Sequence, residues 1–150
     1  MIGEILHVGL TVTDIERSIE FYRDVMGLTF IGQLFMEGKE TEKLFGHPGC
    51  KAKVAYLKGN DDVMSPPVEL IQFVSDEPTR RPADLFTTSI SEICFVTSDI
   101  DKEYQRMKEL GVEFLSEPQE FDFTADGFGK SKAVYFKDPD GIIQELMQAM

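Results

Sequence analysis

Between residues 5 and 13 the chain alternates, with Leu6, Val8, Leu10 and Val12 on one side and Ile5, His7, Gly9 and Thr11 on the other. A period of two predicts a β-strand. Asp14 is then placed to cap a helix whose apolar positions, Ile15, Ile19, Tyr22 and Val25 or Met26, recur at spacings of three and four, and Gly27 supplies its exit. The apolar strand face is expected to pack on this helix, which leaves His7 on the opposite, helix-free face. Strands are predicted over 28–36, 51–58 and 67–74, with a short charged helix around 40–45 and a turn at His47-Pro48-Gly49.

The same pattern then starts again. Ile93, Phe95 and Thr97 alternate with Glu92, Cys94 and Val96, and Asp99 caps a helix bearing Ile100, Tyr104, Met107 and Leu110 before Gly111. Further strands are predicted over 112–116, 132–137 and 142–148, with a turn at Asp138-Pro139-Asp140-Gly141. The stretch 117–130, with Phe121, Phe123, Phe128 and several acids, reads as a mobile or lid-like connection. Each half ends in Glu-Leu-x-Gln, at Glu69 and at Glu145, and His7 precedes its cap by the same interval as Glu92 precedes Asp99. The chain is therefore read as one domain built from a duplicated unit: module one over 1–75, a Pro-bearing linker over 76–88 and module two over 89–150. The duplication aligns His7 with Glu92, and Glu69 with Glu145.

Composition narrows the classes of function. At 150 residues and 42% apolar content the chain can furnish one domain's core. No apolar run approaches the roughly 20 residues needed to span a bilayer, so a cytoplasmic protein without a membrane partner is expected. The 27 acidic against 15 basic residues give a net charge of -12, which repels a phosphate backbone and argues against nucleic acid. Cys50 and Cys94 are isolated and read as free thiols.

A lone strand histidine is ordinarily a hydrogen-bonded residue, and a glutamate in an apolar strand ordinarily marks a solvated edge. Recurrence at equivalent places in two modules makes His7, Glu69, Glu92 and Glu145 candidate metal ligands instead. If they converge, three carboxylates need a counter-charge, and a divalent ion is the simplest one. Cys94 is read as a small core filler rather than a ligand, and Tyr56 and Tyr135, matching residues of the third strands, as aromatic packing in preference to lining a cup. Lys51, Lys53, Arg80 and Arg81 are read as solvated surface rather than an anion site.

The segments HVGLTVTDIERSIEFYRDVMGL, VELIQF and YFKDPDGIIQELMQ resemble the vicinal oxygen chelate superfamily, which includes glyoxalase I, methylmalonyl-CoA epimerase, extradiol dioxygenases and the fosfomycin and bleomycin resistance proteins. The resemblance covers nearly the whole chain and is closest in type to glyoxalase I and the epimerase. It implies an α+β fold: two tandem βαβββ modules forming a curled eight-stranded cup with helices outside, acting on a small-molecule substrate; the exposed edges of paired modules point to a homodimer. It also implies one divalent ion (Zn, Ni, Co, Mn or Mg) held by His7, Glu69, Glu92 and Glu145. The implied activity is that of a lyase or isomerase moving a proton beside a carbonyl through a metal-stabilised enediolate, with Glu145 the first candidate for base and Glu69 the second. The alternatives are a metal-free drug-binding protein of the bleomycin-resistance type, which the acidity would suit, and a regulatory module with a vestigial cup. The sequence departs from the lyase and epimerase pattern at Glu92-Ile93, where histidine is usual, so Glu92 is read either as a ligand or as a lost ligand turned outward or paired with Lys or Arg. One imidazole with three carboxylates makes a harder, more anionic site, and leaves too few histidines for the iron site of an extradiol dioxygenase.

Overall fold

The computed structural model describes residues 5–59, 68–80, 84–86 and 88–150. It divides into two compact units, Met1–Arg80 and Arg81–Met150, a division falling inside the segment read as a linker. Arg81 and Pro67 lie outside the described residues. Among the described residues no helix is long and apolar enough to cross a membrane.

The first unit holds β1 (Val8–Thr11), α1 (Ile15–Glu20), β2 (Thr29–Met36), α2 (Lys39–Phe45), β3 (Ala52–Lys58) and β4 (Val68–Phe73). Its sheet runs β1-β4-β3-β2, with β1 parallel to β4 and the other pairs antiparallel. The second unit holds β5 (Ile93–Val96), α3 (Ile100–Glu109), β6 (Gln119–Phe123), β7 (Gly129–Lys137) and β8 (Ile143–Ala149), in the order β5-β8-β7-β6. The two sheets thus share one topology, as the repeat requires, and the chain is α+β with four strands in each of two open sheets.

The starts of α1 and α3 follow from the sequence. The Asp14 carboxylate accepts from the backbone N–H groups of Glu16 and Arg17, and Asp99 accepts from that of Lys102, satisfying donors that have no partner within their own helix. The glutamine of each Glu-Leu-x-Gln motif completes the cap from the sheet. Gln72 accepts from Ile15 N–H at 3.1 Å and donates to Thr13 C=O at 3.0 Å, while Gln148 accepts from Ile100 N–H at 2.8 Å. The leucine of the motif is core in both units: Leu70 is fully buried and Leu146 nearly so. Ile15, Ile19 and Tyr22 are buried as their spacing predicts. The first helix is not regular throughout, however, since Phe21–Val25 form a wider π turn closed by Met26 N–H on Phe21 C=O at 3.0 Å.

Two expectations are corrected. Residues 112–116 do not form a strand: only Phe114 bridges to Phe136, and its ring packs on Tyr104 under α3. The stretch 117–130 is not a loose connection but contributes β6, which pairs with β7 around a turn at Thr124–Asp126. Its acids find cations on the partner strand, Asp122 with Lys130 at 3.2 Å and Glu120 with Lys132 at 3.7 Å. Those pairings are cross-strand and so are invisible to a local reading.

Candidate functional site

In the first sheet the register sets Gly9 of β1 and Tyr56 of β3 on either side of Glu69 of β4. Paired residues share a face, so these three and His7, which directly precedes β1, stand on the face opposite α1. The Tyr56 hydroxyl donates to Glu69 Oε1 at 2.7 Å, and His7 Nε2 lies 3.2 Å from Oε2. The His7 and Tyr56 rings are 5.9 Å apart between centroids. The Glu69 side chain is only 14% exposed, so this pair of neighbours supplies polar contacts that its burial requires. Gly9 provides the room: a Cβ added there would stand 3.1 Å from Glu69 Oε2. The bond to the carboxylate, with burial and the charge of Glu69 behind it, raises the Tyr56 phenol above its usual range, so the hydroxyl keeps its proton and remains a donor.

The second sheet repeats the row with different chemistry. Cys94 of β5 and Tyr135 of β7 flank Glu145 of β8 in register. The Cys94 thiol is hydrogen-bonded to Glu145 and is pushed up to about 12, first by burial among the strands, then by that bond and by the charges of Glu145 and Glu92. It still reaches solvent, so it is not the core filler expected; Cys50 is buried, and both cysteines are free. The Tyr135 phenol is also raised, first by burial and then by the charges of Glu145 and Glu92. The same two carboxylates therefore act on one thiol and one phenol. A cavity of about 250 Å³ opens beside them, lined among others by Phe121, Phe123, Tyr135, Glu145 and Met147.

The four candidate ligands thus occupy two equivalent rows. His7 and Glu69 meet directly, and Glu92 and Glu145 share a neighbourhood in the second unit. Among the described residues no three His, Cys, Asp or Glu side chains are gathered closely enough to hold an ion by themselves. The His7–Glu69 pair nonetheless suits a metal. Two donors each about 2.1 Å from one ion stand roughly 3.0 Å apart across an octahedral edge and roughly 3.4 Å apart in a tetrahedron, and 3.2 Å lies between. Tyr56 is the residue whose role the sequence left out. A tyrosine on the strand next to the motif glutamate, repeated at Tyr135, was the available signal. The cations read as surface lie in the first unit with other partners: Lys51 on Glu37 at 3.0 Å, Lys53 near Glu16 at 3.9 Å, and Arg80 on the Thr13 hydroxyl at 3.3 Å.

Known proteins share this architecture. The glyoxalase family protein of Bacillus cereus superposes with a TM-score of 0.86 at 19% identity, covering 100% of this chain and 96% of that one. The trypanothione-dependent glyoxalase I of Leishmania major superposes with a TM-score of 0.68 at 19% identity, covering 97% and 86%. By sequence, the uncharacterized protein YwbC of Bacillus subtilis is 28% identical over 148 residues, 99% of each chain. The family model matches residues 4–146, and the chain belongs to the Glyoxalase/Bleomycin resistance protein/Dioxygenase superfamily.

Proposed function

We propose that this protein is a metal-dependent lyase or isomerase that moves a proton on a carbon beside a substrate carbonyl, working as a homodimer on a small molecule. His7, Glu69, Glu92 and Glu145 are its metal ligands. The observation that carries the reading is the His7–Glu69 pair, whose Nε2 and Oε2 stand 3.2 Å apart on the sheet face opposite α1, with Tyr56 donating to the other carboxylate oxygen. When bound, a divalent ion supplies Lewis acidity that renders the neighbouring C–H acidic and offsets negative charge on the substrate oxygens.

The two glutamates then divide the work by their partners. Glu69 has one oxygen held by the Tyr56 phenol, and the other would be taken up by the ion it shares with His7, so it is fixed in place. Glu145 is held by a thiol, a weak donor, and borders a cavity large enough for a small ligand. It is the freer carboxylate to accept the proton, while the C–H electron pair shifts toward the carbonyl oxygen, and to return that proton at the neighbouring carbon or the opposite face. Tyr135, protonated and beside Glu145, is placed to orient substrate oxygen.

Purification without added ions followed by elemental analysis tests the reading. About one equivalent of divalent metal per chain, removed by EDTA and restored together with thermal stability by Mn, Co, Ni or Zn, is expected. Protein that stays metal-free, and whose melting point those ions leave unchanged, would instead be a metal-free binder of the bleomycin-resistance type.

A further inference from the structure

The second sheet carries a feature that proton transfer alone does not use. Phe121 and Phe123, two residues apart on edge strand β6, point to one face and stack with centroids 5.7 Å apart and an interplanar angle of 6°. Both rings are over 40% exposed. In register they oppose Ser131 and Gly129 of β7, small residues that leave the rings uncovered, and Gln119 opposes Ala133. Met147 of β8 stands across from Ala133 and completes an apolar end to the cavity whose other end is formed by Glu145 and Tyr135. Small residues between two apolar walls make a slot rather than a packed core.

We propose that this slot selects substrates bearing an uncharged aryl group on the carbon beside their carbonyl, with Phe121, Phe123 and Met147 as the specificity-determining residues. The inference rests on the reading of Glu145 as the reacting end of the site. Parallel phenyl faces and a thioether favour a flat, polarisable group, which gains offset stacking and sulfur contacts that a methyl group lacks. Charge excludes the other common kind of handle. Among the described residues the cavity is lined by no lysine or arginine, and Glu145 and Glu92 act on its polar end, so an anionic group such as a phosphate finds no partner in it. A volume of about 250 Å³ limits the ligand to a small one.

The test uses two neutral probes that differ only in this group, mandelamide with its phenyl and lactamide with its methyl, titrated calorimetrically into metal-loaded and EDTA-treated full-length protein. Mandelamide is expected to bind at least about tenfold more tightly than lactamide. Phe123→Ala should reduce that ratio to within about threefold. Phe123→Leu, which keeps apolar bulk without a flat face, should leave an intermediate ratio and guards against misfolding as the explanation. Equal affinities, no saturable binding of mandelamide, or a ratio unmoved by either substitution overturns the inference. An aryl preference that persists in protein unable to take up metal upholds the slot and defeats the proposed catalysis alone. Metal uptake without an aryl preference does the reverse.

Discussion

The Tyr56 hydroxyl donates a 2.7 Å hydrogen bond to Oε1 of Glu69, leaving Oε2 turned toward His7. A donor of this kind behind a candidate ligand fixes its orientation, and removing such partners typically weakens metal binding by 10- to 100-fold. Tyr56→Phe is therefore expected to lower affinity for Zn or Mn by about that range while costing only about 1 kcal/mol of stability. Competition with a chelating dye reads the first quantity and urea unfolding the second. Unchanged affinity would mean that Glu69 needs no brace.

Gly9 is a packing requirement of the same carboxylate. An added Cβ would stand 3.1 Å from Glu69 Oε2 and 3.6 Å from Ile71 Cδ1, so the carboxylate must move by a few tenths of an ångström. Gly9→Ala should fold and yet bind the ion several-fold less tightly. A melting temperature near that of the parent with metal binding also unaffected would show that Glu69 gives way without consequence.

Gln72 and Gln148 tie the last strand of each module to the first turn of its helix. Replacing either by leucine leaves a helix N–H without its acceptor, at a cost of roughly 1 kcal/mol by analogy with lost caps. Gln72→Leu should be the costlier, since Gln72 also donates to Thr13 C=O. Urea titration of both variants checks the order.

Gln144 stands where module one has Val68, fully buried, and among the described residues neither atom of its amide has a hydrogen-bond partner. A buried amide without partners costs on the order of 1–3 kcal/mol. Gln144→Met, similar in shape and apolar, is expected to stabilise the protein by about 1–2 kcal/mol in the same assay. Destabilisation would reveal a partner for the amide.

The raised Cys94 thiol predicts a pH dependence. With its ionisation near 12 rather than 9, the folded protein keeps the thiol neutral through pH 8, and reactivity grows only as pH climbs toward 12. In EDTA-treated protein at pH 8, alkylation at Cys94 should be roughly a thousandfold slower than at an ordinary thiol, because the thiolate is the nucleophile. Glu145→Gln removes a charge that opposes ionisation and should speed the reaction; burial, the larger cause, keeps it below the ordinary rate. Peptide mapping after iodoacetamide treatment distinguishes Cys94 from buried Cys50.

Local and repeating features were legible in the residues themselves. The caps at Asp14 and Asp99, the buried positions Ile15, Ile19 and Ile100, and the likeness of the two modules follow from period and duplication. That His7 and Glu69 would stand together was implied by the family resemblance, which draws one ligand from the first and one from the fourth strand of a module, and not by the repeat, which aligns His7 with Glu92. What local pattern could not supply was the identity of neighbours across strands. Phe121, Phe123, Glu120 and Asp122 read as loop because their partners, Ser131, Gly129, Lys132 and Lys130, lie on the other arm of a hairpin. Tyr56 read as packing because its bond to Glu69 spans 13 residues, and Cys94 read as filler because its contact with Glu145 spans about a third of the chain.

Side-chain type and period along the chain therefore determined which face of each strand is apolar, where each helix starts and which residues recur, because those depend on interactions between residues a few positions apart. Tertiary structure alone decided that Glu69 is braced by a phenol and Glu145 by a thiol, and that two phenylalanines wall a cavity. Register brings distant residues into hydrogen-bonding reach of one another, and a shift of one position would turn all of them to the other face.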